Sequence, residues 1–302
     1  MNNKRRLFST LLCVAALTAG LFVSGCGSDK AGSIGSVVSS VVDGGSDEKA
    51  AAKLNTLIDA TNRFNGDNAT WGQNYADSLA KLKGGFQEGA IGRQPHYDTL
   101  KDALEKSKKE GSTFKEVDTE RDNVLNILNE LVPTFKDLKA YDDSKAYMND
   151  GGAKGKELAA KYVAQVEKFD AAYAKFNDAL NKANTEQTKK QIEKLKKDGK
   201  KGYAAAMEST LRLTTLVENV EKAPKNADKQ AVEKELNEIQ TLLKSINNDR
   251  GEVLVNSYNS VVGSVRQVLT DANENNLNDM IENFNNYIES YNNTTPDQFD
   301  SK

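Results

Sequence analysis

One histidine and two cysteines are all that the chain offers to soft-metal or nucleophile chemistry. His96 lies in the run Pro95-His96-Tyr97-Asp98. A Ser-His-Asp triad would have to use it, yet no Gly-x-Ser-x-Gly elbow accompanies it, so it reads as a surface or helix-capping histidine. Cys13 falls inside an apolar leader, and Cys26 follows two small residues. Neither is expected as a free thiol or half of a disulfide in the mature chain. A zinc or haem site needs several His or Cys ligands and cannot be assembled from this set. The remaining chemistry is carboxylate chemistry. Asp142 with Asp143 and Asp297 with Asp300 are the pairs close in sequence, but any acidic loop supplies such pairs. Glycosidases line a cleft with aromatics, and Trp71 is the single tryptophan. Neither an EF-hand spacing nor a phosphate-cradling Gly-x-x-x-x-Gly-Lys-Ser/Thr run is present. No cofactor, no metal and no catalytic residue are expected.

The most specific signal concerns location. Lys4-Arg5-Arg6 forms a positive start, Leu7 to Leu21 is mostly apolar, and small residues follow, the order of an export signal. The apolar run is short for a membrane-spanning helix. Phe22-Val23-Ser24-Gly25-Cys26 then resembles a lipobox, in which the small pair admits a peptidase and the Cys26 thiol accepts diacylglycerol. Residues 1–25 are therefore expected to be removed and Cys26 to be lipidated. Two or three acyl chains make a durable anchor. Gly27 replaces the aspartate that retains enteric lipoproteins at the inner membrane, which resembles outer-membrane sorting where the host has two membranes. An ordinary basic start fits Arg5-Arg6 better than a twin-arginine signal does.

Charge narrows the partners. The chain carries 41 basic and 44 acidic residues. Loss of the first 25 residues makes it more acidic still, and such a surface repels phosphate backbones, so no nucleic acid is expected as partner.

These features must be carried by some scaffold. Residues 26–46 are rich in Gly and Ser and read as a tether of roughly 25 Å, with the Val37-Val38 and Val41-Val42 pairs open to a short docking role. From residue 47 the apolar period becomes helical. Leu54, Leu57, Ile58 and Phe64 mark a first helix that ends near Asn65-Gly66-Asp67, and Trp71, Tyr75, Leu79 and Leu82 mark a second. A short third helix follows, with Pro95 in its first turn. Thr113 and Glu116 have capping-box spacing, and Pro133 is expected to break or kink the helix they start. Leu158, Tyr162, Val166, Phe169, Tyr173, Phe176 and Leu180 form a near-heptad stripe. A second stripe runs Ile192, Leu195, Gly199, Gly202, Ala206, Ser209, Leu213, Leu216, Val220, Ala223 and favours one continuous helix whose small middle admits bulky partners such as Phe169 and Tyr173. Further stripes over 232–246 and 254–268 are joined or separated by Asn247–Gly251. A last helix spans Leu277 to Tyr291, and residues 293–302 look frayed. The fold class expected is all-α: an elongated antiparallel helical bundle with coiled-coil-like seams over 47–292, after a signal peptide and flexible linker.

One block is rich in charge and aromatics. It holds Tyr141-Asp142-Asp143, Lys145, Tyr147, and then Ala153-Lys154-Gly155-Lys156-Glu157-Leu158. This block resembles the YiiG-like family of bacterial lipoproteins, whose layout is lipobox, short linker and all-helical domain. The resemblance implies fold and location and supplies no catalytic set. Asp142, Asp143, Lys145, Tyr147, Lys154 and Lys156 are the candidate ligand or partner loop, set against a plainer reading as a loop held by local ion pairs. The function expected is a membrane-anchored, non-enzymatic binding or scaffolding module with an envelope-protein partner. The alternatives are a cell-wall hydrolase working through carboxylates and a solute-binding lipoprotein with an enclosed pocket.

Overall fold

The computed structural model describes residues 46–69, 72–92, 94–111 and 114–301. The expected signal peptide, Cys26 and most of the tether lie outside the described residues, as do Trp71 and Thr113. Every regular element among the described residues is a helix, which makes the chain all-α. The chain divides into two compact units at Ala183 and Asn184, where the sequence suggests one domain.

The first unit contains α1 (Ser46–Ala69), α2 (Gly72–Lys83), α3 (Tyr97–Lys109), α4 (Lys115–Asp143), the single turn α5 (Tyr147–Asp150) and the first part of α6 (Ala153–Lys197). Its core takes up the sequence stripes Leu54, Leu57, Ile58, Tyr162, Val166 and Phe176, and adds Leu100, Leu104, Leu128 and Leu131; each is at most 1% exposed. Burial of each large side chain contributes about 1.5–3 kcal/mol. Phe64 packs edge-on against Phe169 and Tyr173, with ring centroids 5.9 and 5.3 Å away. Phe169 and Tyr173 thus fill the core of this unit, and the space the stripe offered at Gly202 is taken by Phe299.

Several local expectations are corrected here. α1 runs through Asn65-Gly66-Asp67 to Ala69. Pro95 precedes the N-cap residue His96 instead of occupying the first turn. α4 takes Phe114 as its N-cap, one residue after the Thr113 start expected, and Glu116 pairs with Lys182 at 2.7 Å. Pro133 neither ends nor splits α4. Proline removes one N–H and leaves one carbonyl unbonded, but Pro133 is exposed, and Leu131, Val132, Leu138 and Tyr141 are buried on both sides of it.

The second unit contains the end of α6, then α7 (Lys201–Lys222), α8 (Lys229–Lys244), α9 (Asp249–Thr270), α10 (Glu274–Asn292) and the short α11 (Pro296–Phe299). The continuous 192–223 helix is not formed. Gly199 adopts φ +78°, Lys200 N–H bonds back to the Leu195 carbonyl, and the helix stops, the usual way a glycine terminates a helix. Helices α8, α9 and α10 each start on a side-chain cap. Asp228 accepts from Gln230 and Ala231 N–H, Asn248 from Arg250 and Gly251 N–H, and Asn273 from Asn276 N–H. Asn248 therefore settles 226–270 as two helices. Tyr258 bonds to Leu236 while Arg266 pairs with Glu233, so partner numbers fall on α8 as they rise on α9, and the two are antiparallel. The core joins Met207, Leu213, Val217, Ile239, Leu243, Leu254, Val261, Phe284 and Tyr287. Residues 293–301 are not frayed: α11 packs on α7 and α9, and Phe299 is 2% exposed.

Candidate functional site

The charged block folds into a corner between α4 and α6. α4 ends at Asp143, and Lys145 takes φ +53°, the one non-glycine residue with positive φ among those described. The α5 turn follows, Gly151 and Gly152 both adopt positive φ, and α6 begins at Ala153. Asp150 organises the turn. Its Oδ1 accepts from the Tyr141 hydroxyl at 2.5 Å and from Gly152 N–H at 2.9 Å, and its Oδ2 accepts from Lys154 N–H at 3.2 Å. The Tyr141 hydrogen bond, joined by these backbone donors, holds the Asp150 carboxyl below its ordinary range. Beneath the turn, Phe86 packs edge-on to Tyr141 at 5.2 Å and tilted against Tyr147 at 5.8 Å. Gly155 makes room for this cluster, since a Cβ there would lie 2.5 Å from Tyr141 Cε1 and 2.6 Å from Phe86 Cγ.

The candidate residues divide between the two sides of this corner. Asp143 is bound by Lys139 at 2.8 Å, as the ion-pair reading expects. Tyr147 belongs to the ring cluster. Its hydroxyl makes no hydrogen bond of good geometry, while the nearby Glu88 carboxylate, and then burial, push its phenol up to about 12. Asp142 is half-buried. Lys145, Lys154 and Lys156 are exposed, and Met148 beside them is 74% exposed. The structure brings one face of the block inward as a structural clasp and leaves three lysines and a methionine outward. The residues that fasten it, Phe86, Asp150 and Gly155, are absent from the candidate set. Asp150 is signalled by its position just before the glycine pair; Phe86 carries no signal at that sequence distance.

A second polar cluster lies inside the first unit. The Tyr75 and Tyr97 hydroxyls are 2.8 Å apart, Tyr162 donates to the Gln94 side-chain carbonyl, and Ser78 Oγ joins Ala90 and Gly92. Burial raises all three phenols, so they stay protonated and serve as hydrogen-bonding groups. Asp170, half-buried nearby, is raised to about 6 by desolvation, opposed by Lys83 and assisted by Glu167. Its charge therefore changes near neutral pH.

The other sites considered from the sequence are engaged or open. Asp297 binds Lys200 at 2.9 Å, and Asp300 accepts from Gly202 N–H at 2.7 Å. A shallow depression of about 470 Å³ follows the end of α6, lined by Glu186, Lys189, Lys190, Glu193, Lys194 and Lys197 with Asp198. It is open to solvent and bounded by charged residues alone, unlike the enclosed, mostly apolar pocket a small solute needs. Among the described residues no group of three or more His, Cys, Asp and Glu is placed to hold a metal ion. No helix of the described residues is long and apolar enough to cross a membrane.

A family model described as a protein of unknown function, DUF3829, matches residues 48–293. Comparison with curated proteins and with solved structures gives no match.

Proposed function

The chain belongs to the DUF3829 family of proteins of unknown function, and from that premise we propose that it is a lipid-anchored module of the bacterial envelope that acts by binding a protein partner. The finer likeness, to YiiG-like lipoproteins, rests on the Tyr141–Leu158 block and on the Phe22–Cys26 lipobox pattern. Lipid on Cys26 places the module at the periplasmic face of the outer membrane where the host has two membranes, and at the outer face of the cell membrane otherwise.

The observation that carries the binding role is the corner at 139–156. It is fastened from within by Asp150 and Gly155 and presents Lys145, Met148, Lys154 and Lys156 outward. A rigid backbone bearing exposed cations and one apolar side chain suits an acidic partner surface, because little conformational entropy is lost on docking. The test is crosslinking of the full chain in membranes of its host, followed by isolation and mass spectrometry. One reproducible envelope protein is expected, lost in Cys26→Ala and weakened when Lys145, Lys154 and Lys156 are changed to Glu. Recovery of no partner, or of one indifferent to both sets of changes, sinks the reading.

A further inference from the structure

The 295–301 segment is bound to the second unit much as a peptide ligand is bound to a receptor. Phe299 enters between Tyr203 and Tyr291, with ring centroids 5.9 and 6.0 Å away, near-parallel to both rings. The Asp300 carboxylate caps the start of α7, accepting from Gly202 N–H at 2.7 Å and Tyr203 N–H at 3.4 Å. The single amide of Asn248 donates to the carbonyls of Gln298, Phe299 and Ser301 at 3.0–3.1 Å. An amide has two hydrogens, so one of these bonds is shared. Lys200 holds Asp297 at the rim. Gly202 is shaped for this guest: a Cβ there would stand 2.0 Å from the Phe299 carbonyl oxygen. The seat thus reads one aromatic ring, one carboxylate on the next residue and the backbone carbonyls around them.

We propose that this seat is a peptide-recognition site, filled in cis by the chain's own segment and able to take the same segment from a second copy. The recognition elements are spread over Gly202, Tyr203, Asn248 and Tyr291, while the guest is one turn of helix and its flanks. Exchange between copies conserves every contact and needs rearrangement only of the chain around Asn293–Thr295. The cis arrangement prevails at low concentration because linkage gives the segment a local concentration in the millimolar range.

The test uses the full chain with Phe299→Ala, which vacates the ring site, and a labelled synthetic peptide of residues 293–302. Fluorescence anisotropy is expected to show the peptide binding the variant on the order of tenfold or more tightly than the wild-type chain, whose seat is filled. The same peptide carrying Ala in place of Phe299 is expected to bind neither. Adding Gly202→Ala to the Phe299→Ala chain blocks the seat without touching the guest and is expected to abolish binding with the helical circular dichroism retained. Asp300→Asn, a milder way to loosen the cis segment, is expected to raise peptide binding a few-fold. Equal binding to wild type and variant, indifference to the phenylalanine, or binding that survives Gly202→Ala overturns the proposal. Loss of the helical signal in both Phe299→Ala and Asp300→Asn overturns it too, since the segment is then an inseparable part of the core.

Discussion

The Tyr141 hydroxyl donates to Asp150 Oδ1 at 2.5 Å and thereby ties the end of α4 to the turn that opens α6. Because the bond favours the ionised carboxylate, the folded-state pKa of Asp150 lies below its unfolded value. Its contribution is complete above the unfolded carboxylate pKa, about 4, and is lost as pH falls through the lower folded value. Tyr141→Phe is therefore expected to lower the melting temperature at pH 7, with a difference from wild type that shrinks towards pH 2. Thermal melts followed by circular dichroism across that range check this; a difference that grows in acid refutes the assignment.

Gly155 gives a prediction of sign. At an exposed helix position Gly→Ala stabilises by about 0.5–1 kcal/mol. At Gly155 the new methyl would lie 2.5–2.7 Å from the Tyr141 and Phe86 rings. Overpacking of that kind costs about 1–3 kcal/mol, so Gly155→Ala is expected to destabilise in urea unfolding. Stabilisation would show that the rings give way freely.

Asp170 has a folded pKa of about 6, raised chiefly by desolvation. A carboxyl with a raised folded pKa favours the folded state when protonated, and stability falls as pH rises from about 4 to about 6. Asp170→Asn mimics the protonated form. We expect it to stabilise the protein by about 1–2 kcal/mol at pH 7.5 and to leave it near wild type at pH 4. Chemical unfolding at the two pH values decides, and equal effects at both would place the origin elsewhere.

Arg212 links α7 to α8 through a fork: Nε and Nη2 donate to the two oxygens of Glu235 at 2.6 and 2.8 Å, and Nη2 also reaches Glu238 at 2.5 Å. Lysine keeps the charge and loses the fork. Arg212→Lys is expected to cost about 0.5–1 kcal/mol at low salt. Near 1 M salt, where screening acts within about 3 Å, the gap narrows. Denaturant titrations at two ionic strengths measure both.

The helical period was legible wherever packing imposed it. The 158–180 stripe is buried as spaced, with Leu158 alone half-exposed. The same rule missed the stop at Gly199, because small residues kept the three-and-four spacing on both sides of a turn that only φ +78° reveals. Pro133 misled in the other direction: its lost bond is local, whereas the burial that overrides it comes from residues brought in by the fold. The order of 295–301 was hidden for a different reason. Its stability comes from Asn248, some fifty residues earlier, and from backbone carbonyls, which have no letter in a sequence. At the candidate corner the charged residues were visible as a cluster. Which of them would face inward was settled by Phe86 and Gly155, and no local pattern joins those two.

All ten tyrosines have phenols held above their ordinary value: Tyr75, Tyr97, Tyr141, Tyr147, Tyr162, Tyr173, Tyr203, Tyr258, Tyr287 and Tyr291. Six of these tyrosines precede residue 184 and four follow it, so both units carry them. The chain is in consequence its own indicator dye. Above about pH 10, where a free phenol ionises, the folded protein is expected to hold its phenols protonated, and tyrosinate absorbance is expected to rise as either unit opens. One unlabelled sample therefore reports the opening of either unit.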